Sequence, residues 1–187
     1  PLTLPDALDG DAWEKLDALV RDGDCWEMLM PSQFARPTAA LREFARECKL
    51  ERHSDPLSVL RQLNAQIHDA FDYAPQSTQV DSPIDEALGN RKGVCQDFAH
   101  IMIALVRELG IPCRYVSGYL FHRTEIRDRS AQDATHAWVE ALLPELGWVG
   151  FDPTNNLVAS GRHIRAATGR DYADVPPTRG VLSREME

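Results

Sequence analysis

No apolar run in this chain approaches the roughly 20 residues that span a bilayer, and no stretch reads as a signal peptide. The chain opens on Pro1 rather than methionine, as a trimmed chain or a fragment would. These absences lead us to expect a cytoplasmic protein with no membrane partner. Basic residues are also scarce: 20 Lys and Arg stand against 29 Asp and Glu, a net charge of −9 with no dense basic cluster. That disfavours nucleic acid, whose binding rests on clustered cations. Only four cysteines occur (Cys25, Cys48, Cys95, Cys113), too few and too far apart for a disulfide framework. Free thiols in a reducing compartment are the expectation. Internal repeats and low-complexity tracts are lacking as well.

Metal-binding spacing is missing too. Cys95, Cys113, His100, His122 and His136 contain no compact ligand pair of the zinc kind. Asp128 and Asp133 lack a calcium-loop pattern and read as a solvated face of a charged loop at 122–133. We therefore expect no metal and no cofactor.

What is present suits one domain of ordinary size. At 187 residues and 43% hydrophobic composition, the chain can bury a real core. Trp13, Leu16, Leu19 and Val20 fall at helical spacing; Thr38 is a plausible N-cap for a helix carrying Leu41, Phe44, Ala45 and Cys48. Asp55-Pro56 is a strong helix start, continued by Leu60, Leu63, Ile67 and Phe71. Residues 73–80 read as a polar loop, and Ser82-Pro83 opens a short helix that Gly89 can cap. A long helix begins at Cys95 and stops at Gly110 and Pro112. Strands are expected from 113, over 134–143 and over 147–152, and beyond Asn156 periodicity fades into an irregular end. Helices followed by an antiparallel sheet define an α+β fold. We divide it into a helical part at 1–54, a core at 55–160 and an irregular segment at 161–187.

The chemistry centres on Gly93-Val94-Cys95. A thiol reacts as its thiolate, and a helix N-terminus favours negative charge there. Gly93 is expected to let the backbone turn tightly beside a ligand. His136 and Asp152 lie on the last two strands. If they oppose one another in a hairpin, Leu142 faces Leu146 across the three-residue loop Leu143-Pro144-Glu145. Opposed residues project from one face, so a His–Asp pair is geometrically accessible. His136 would then take and return the Cys95 proton, and Asp152 would hold the ring. The Cys95 amide is an oxyanion-hole candidate, with Gln96 and Tyr73 as candidates for a second donor and Trp138 as a substrate contact. His100, five residues after Cys95 and about 140° round the helix, should not share its face. His53, His68 and His163 read as surface or structural residues.

These residues resemble the transglutaminase-like superfamily, within the papain-like thiol enzymes. The likeness is carried by Gly93-Val94-Cys95-Gln96-Asp97-Phe98-Ala99-His100, Gly110-Ile111-Pro112-Cys113, His136-Ala137-Trp138-Val139-Glu140, Gly147-Trp148 and Asp152-Pro153-Thr154-Asn155. Gly169-Arg170-Asp171-Tyr172 also has the flavour of the bacterial, cysteine-protease-like branch. The resemblance implies a Cys95–His136–Asp152 triad, a nucleophile helix packed on an antiparallel sheet, and acyl transfer through a thioester. It implies a peptide, protein or small amide substrate, and hydrolysis ahead of glutamine-to-amine transfer. A silent peptide-binding or assembly module is the remaining alternative. It also implies a β-rich segment upstream, which we do not expect within this chain. Cys113 stands where alanine is common, and Thr135 where serine often precedes the histidine.

Overall fold

A computed structural model describes residues 4–79, 81–122, 128–129 and 134–176. Five helices, α1 (Ala12–Asp22), α2 (Ala39–Glu47), α3 (Pro56–Ala70), α4 (Ile84–Asn90) and α5 (Cys95–Glu108), occupy the first part of the chain. Two short strands, β1 (Asp72–Tyr73) and β2 (Lys92–Gly93), pair in parallel among them. Then follow β3 (Cys113–Leu120), β4 (His136–Leu143), β5 (Gly147–Asp152), β6 (Leu157–Val158) and β7 (His163–Gly169), forming one antiparallel sheet in the order β6-β5-β4-β3-β7. The α+β expectation holds.

Helix α5 is the centre of this arrangement. Every residue from Asp97 to Arg107 is buried, because α5 packs on β3 and β4 along one side and on α2, α3 and α4 along the other. A helix surrounded by protein needs apolar residues all round, which this one has apart from the hydrogen-bonded Asp97, His100 and Arg107. It ends at Gly110, whose φ of +75° suits glycine, with Gly110 N–H on the Arg107 carbonyl and Ile111 N–H on that of Val106. The capping expectations hold at α2 and α3. Thr38 Oγ1 accepts from Leu41 N–H, and Asp55 Oδ1 accepts from Leu57 and Ser58 N–H at 3.1 Å each. Such a cap is worth about 1 kcal/mol.

Several local expectations are corrected. Gly89 lies inside α4, and Arg91 takes the left-handed conformation at φ +52°. That conformation is held from outside: the Arg91 carbonyl accepts from Asp72 N–H, and its guanidinium pairs with Glu47 and lies over the Phe44 ring. Asp128 is no solvated acid. Its side chain is 2% exposed and paired with Arg162 at 2.9 Å and His122 at 3.2 Å. Asp133 and Val80 fall outside the described residues. The chain after Asn156 contains β6 and β7, and Tyr172–Asp174 form a 3₁₀ turn. Most of β7 is exposed, so no buried alternation marks it in the sequence.

Candidate active site

Cys95 is the first residue of α5. Val94 precedes it with extended backbone, and Asp97 reaches back so that its Oδ2 accepts from Val94 N–H at 2.8 Å and from the Thr78 hydroxyl at 2.6 Å. Gly93 serves this cap. A Cβ there would stand 2.9 Å from Asp97 Oδ2 and 3.0 Å from Asp97 Cβ, so glycine makes room for the capping acid rather than for a ligand. Pairing of Tyr73 with Gly93 across β1 and β2 brings Tyr73 beside the helix start.

The β4–β5 hairpin differs from the expected register. Leu143 pairs with Gly147 across Pro144-Glu145-Leu146, and Gly147 closes the loop with φ +70°. Carried along the strands, this register sets Asp152 level with Trp138 and diagonal to His136. The offset is two residues, so the faces are preserved and the two side chains still meet. His136 Nε2 lies 2.8 Å from Asp152 Oδ2, both side chains essentially inaccessible. Burial disfavours a charged His136 ring. Its interactions with Asp152 and with Cys95 nevertheless prevail and raise its pKa to about 10. His136 Nδ1 has no well-aligned partner; the thiol of Cys95 is the group that meets the ring from α5. Such contacts are often loose until substrate is bound.

Asp152 is fully buried yet held well below the usual carboxylate range. Burial works against the charge, and hydrogen bonds from His136 and His163 lead the groups that overcome it. Oδ1 accepts from the Thr154 and Asn155 amides at 3.1 and 3.2 Å; Oδ2 accepts from Asn155 Nδ2 at 2.9 Å and from His163 Nε2 at 3.2 Å. His163 thus belongs to the site, correcting its reading as a surface or structural residue. Gly118 allows this. It sits opposite His136 at a β3–β7 bulge, where a Cβ would stand 2.1 Å from the Ile164 carbonyl oxygen and 2.7 Å from the Trp138 ring.

A cleft of about 230 Å3 opens over Cys95 and His136. Gln96 and Tyr73 line it, as do Tyr115, Ser117 and Tyr172, which sequence reasoning did not single out. Trp138 does not line it. Its ring stacks on His136 at 6.1 Å and meets His163 edge-on at 5.2 Å, forming a wall behind the histidine. His100 does not line the cleft. It is buried against Phe34 and Tyr115, and its Nε2 accepts from Tyr172 N–H at 3.2 Å. Burial lowers its pKa to about 4, which preserves that acceptor. His100 therefore holds the turn that delivers Tyr172. His68 Nδ1 pairs with the Thr154 carbonyl, a structural role.

The residues considered for zinc do not converge. Among the described residues, His136, Asp152 and His163 are the one group with three ligand-type atoms within 4.8 Å of one another. Those atoms are engaged with each other: Oδ2 receives both imidazoles and the Asn155 amide, and each ring presents its N–H inward. No helix of the described residues is long and apolar enough to cross a membrane.

A helix-start cysteine and a strand histidine line one cleft, and a buried aspartate holds that histidine, on a fold of the papain-like kind. The chain belongs to the transglutaminase-like superfamily, whose family model matches residues 42–153. It is 42% identical over 157 residues to an uncharacterized protein of Mycobacterium tuberculosis, covering 80% of this chain and 49% of that one. A protein-glutamine gamma-glutamyltransferase of Pseudomonas aeruginosa is 31% identical over 162 residues, covering 81% of this chain and 24% of that protein. Among solved structures, a candidate cysteine protease from Cytophaga hutchinsonii superposes with a TM-score of 0.68 at 32% identity, over 83% of this chain and 50% of its own. The chain spans about half the length of the first curated relatives it matches.

Proposed function

We propose that this chain is a thiol-dependent acyl-transfer enzyme that hydrolyses a peptide, isopeptide or related amide bond, with Cys95, His136 and Asp152 as its catalytic residues. The observation that carries this reading is the placement of His136, with Nε2 on a buried aspartate, Nδ1 unpaired, and Cys95 lining the same cleft. His136 Nδ1 takes the Cys95 proton and the thiolate attacks the substrate carbonyl, forming a C–S bond. The Cys95 amide, with Gln96 or Tyr73, receives the oxyanion. Collapse breaks the C–N bond as His136 returns the proton to the amine. Water then gives a proton to His136 and attacks the thioester, and the C–S bond breaks to release the acid. Asp152 stays ionised throughout and stabilises the imidazolium.

The test is the pH dependence of iodoacetamide labelling. Cys48 and Cys113 are internal controls, since burial raises their pKa values to about 11 and about 12. Cys95 should label rapidly below pH 8 and lose that rate in His136→Ala. Labelling of Cys95 no faster than Cys25 would overturn the catalytic reading in favour of a peptide-binding module. Transfer to an amine is a second reading, suggested by the relative from Pseudomonas aeruginosa. It predicts that added primary amine diverts product from acid to amide, and undiverted product would reject it.

A further inference from the structure

One oxygen of the site carries an unusual load. Asp152 Oδ2 receives His136 Nε2 at 2.8 Å, Asn155 Nδ2 at 2.9 Å and a second imidazole, His163 Nε2, at 3.2 Å. The state of the second ring is fixed by its surroundings. Its Nδ1 accepts from Ser160 N–H at 3.3 Å, so the proton resides on Nε2 and points at Asp152. The His163 side chain is 2% exposed and meets the Trp138 ring edge-on at 5.2 Å. His163 also lies beyond the segment that matches the family model.

We propose that His163 tempers the Asp152–His136 pair: by donating to the oxygen that holds His136, it weakens that oxygen as an acceptor and keeps His136 able to release its proton. A donor on a carboxylate stabilises the anion and lowers its pull on other donors. The consequence falls on the second half of the reaction. There His136 must be neutral to accept a proton from water, and a ring held too firmly in its charged form cannot act as base. His163 is a positioning residue, since it touches neither substrate nor thiol. Among the described residues, the titratable groups facing His136 are Cys95 from α5, Asp152 from β5 and His163 from β7, with the phenols of Tyr73, Tyr115 and Tyr172 around the same cleft. Asp152 is the one carboxylate among them, so the load on its Oδ2 decides how firmly the proton is held.

This inference rests on the acyl-transfer reading, and the experiment separates the two. Cys95 is first carboxamidomethylated, which removes the thiolate and imitates the acyl-enzyme stage. The His136 ring is then titrated by 15N NMR in the parent, in His163→Asn and in His163→Gln. Asparagine keeps a group at the Nδ1 position for Ser160 but has nothing at the Nε2 position; glutamine keeps a donor there. The His136 midpoint should rise by about one pH unit in His163→Asn and stay at the parent value in His163→Gln. His163→Leu provides the same deletion if the asparagine variant does not fold. A midpoint unmoved or lowered in the donor-lacking variants would overturn the proposal. Failure of Cys95 to label selectively in the parent would instead overturn the acyl-transfer reading.

Discussion

Asp152→Asn removes the charge from the site while keeping its shape. In the parent, His136 rises from an ordinary 6.5 to about 10, a preference for the charged ring on the order of 5 kcal/mol. Burial pushes the other way, so Asp152 and Cys95 together must exceed that opposition as well as supply the visible shift. With an amide in place of the carboxylate and Cys95 carboxamidomethylated, burial remains and neither partner's charge does. We expect the His136 midpoint to fall below 6.5, a drop of more than three pH units. The assay is 15N NMR of histidine-labelled protein, in which His136 is one of six histidine signals and is assigned by its loss in His136→Gln. Stability should follow with a defined sign. His136 has a raised folded pKa, so its contribution is complete below 6.5 and is lost as pH rises through about 10. Asp152 has a depressed one, so its contribution is complete above 3.8 and is lost on acidification below that value. The two describe one coupled pair and count once. Urea unfolding of the parent should therefore weaken between pH 6.5 and 10, while Asp152→Asn should be flatter. A His136 midpoint above about 8 in Asp152→Asn would refute the reasoning, because the proton would then be held by something other than Asp152.

Two further outcomes follow from neighbouring geometry. Gly93→Ala should displace Asp97 from Val94, cost about 1 kcal/mol in urea unfolding and slow Cys95 labelling; unchanged values in both would mean the cap is unimportant. Arg107→Met should destabilise by about 3 kcal/mol, since the buried guanidinium donates to the Met28, Cys113 and Arg170 carbonyls and to Ser32 Oγ. A melting profile equal to the parent's would show that those acceptors find other partners.

The residues that announced themselves in the sequence did so through local chemistry. Asp55-Pro56 and Thr38 are capping signals that need no distant partner, and both caps formed. The Cys95 helix was legible because its long apolar run begins at a glycine-flanked cysteine and stops at Gly110. The hairpin joining His136 to Asp152 was legible in parity but not in register. A three-residue loop closing on left-handed Gly147 would have supplied the missing offset. His163 was hidden because its role depends on a bulge across from Gly118 and on an exposed edge strand with no apolar rhythm. Gly93 and Gly89 carried misleading signals for a related reason, because the space at Gly93 and the left-handed cap that falls on Arg91 instead of Gly89 are both set from outside. Each answers to a side chain elsewhere in the fold, Asp97 in one case and Glu47 with Phe44 in the other.

The position of β7 bears on where this domain can be cut. A piece ending near residue 160 would contain the whole family-matched stretch, the cysteine, the histidine and the aspartate, and would look complete by motif. It would also leave β3 as a bare edge, its backbone groups open to pairing with another chain. The Arg107 guanidinium would lose its Arg170 carbonyl and the cleft its Tyr172 wall. The family-matched stretch therefore stops short of the parts that cover the sheet edge and wall the cleft, namely β7 and the turn that follows it.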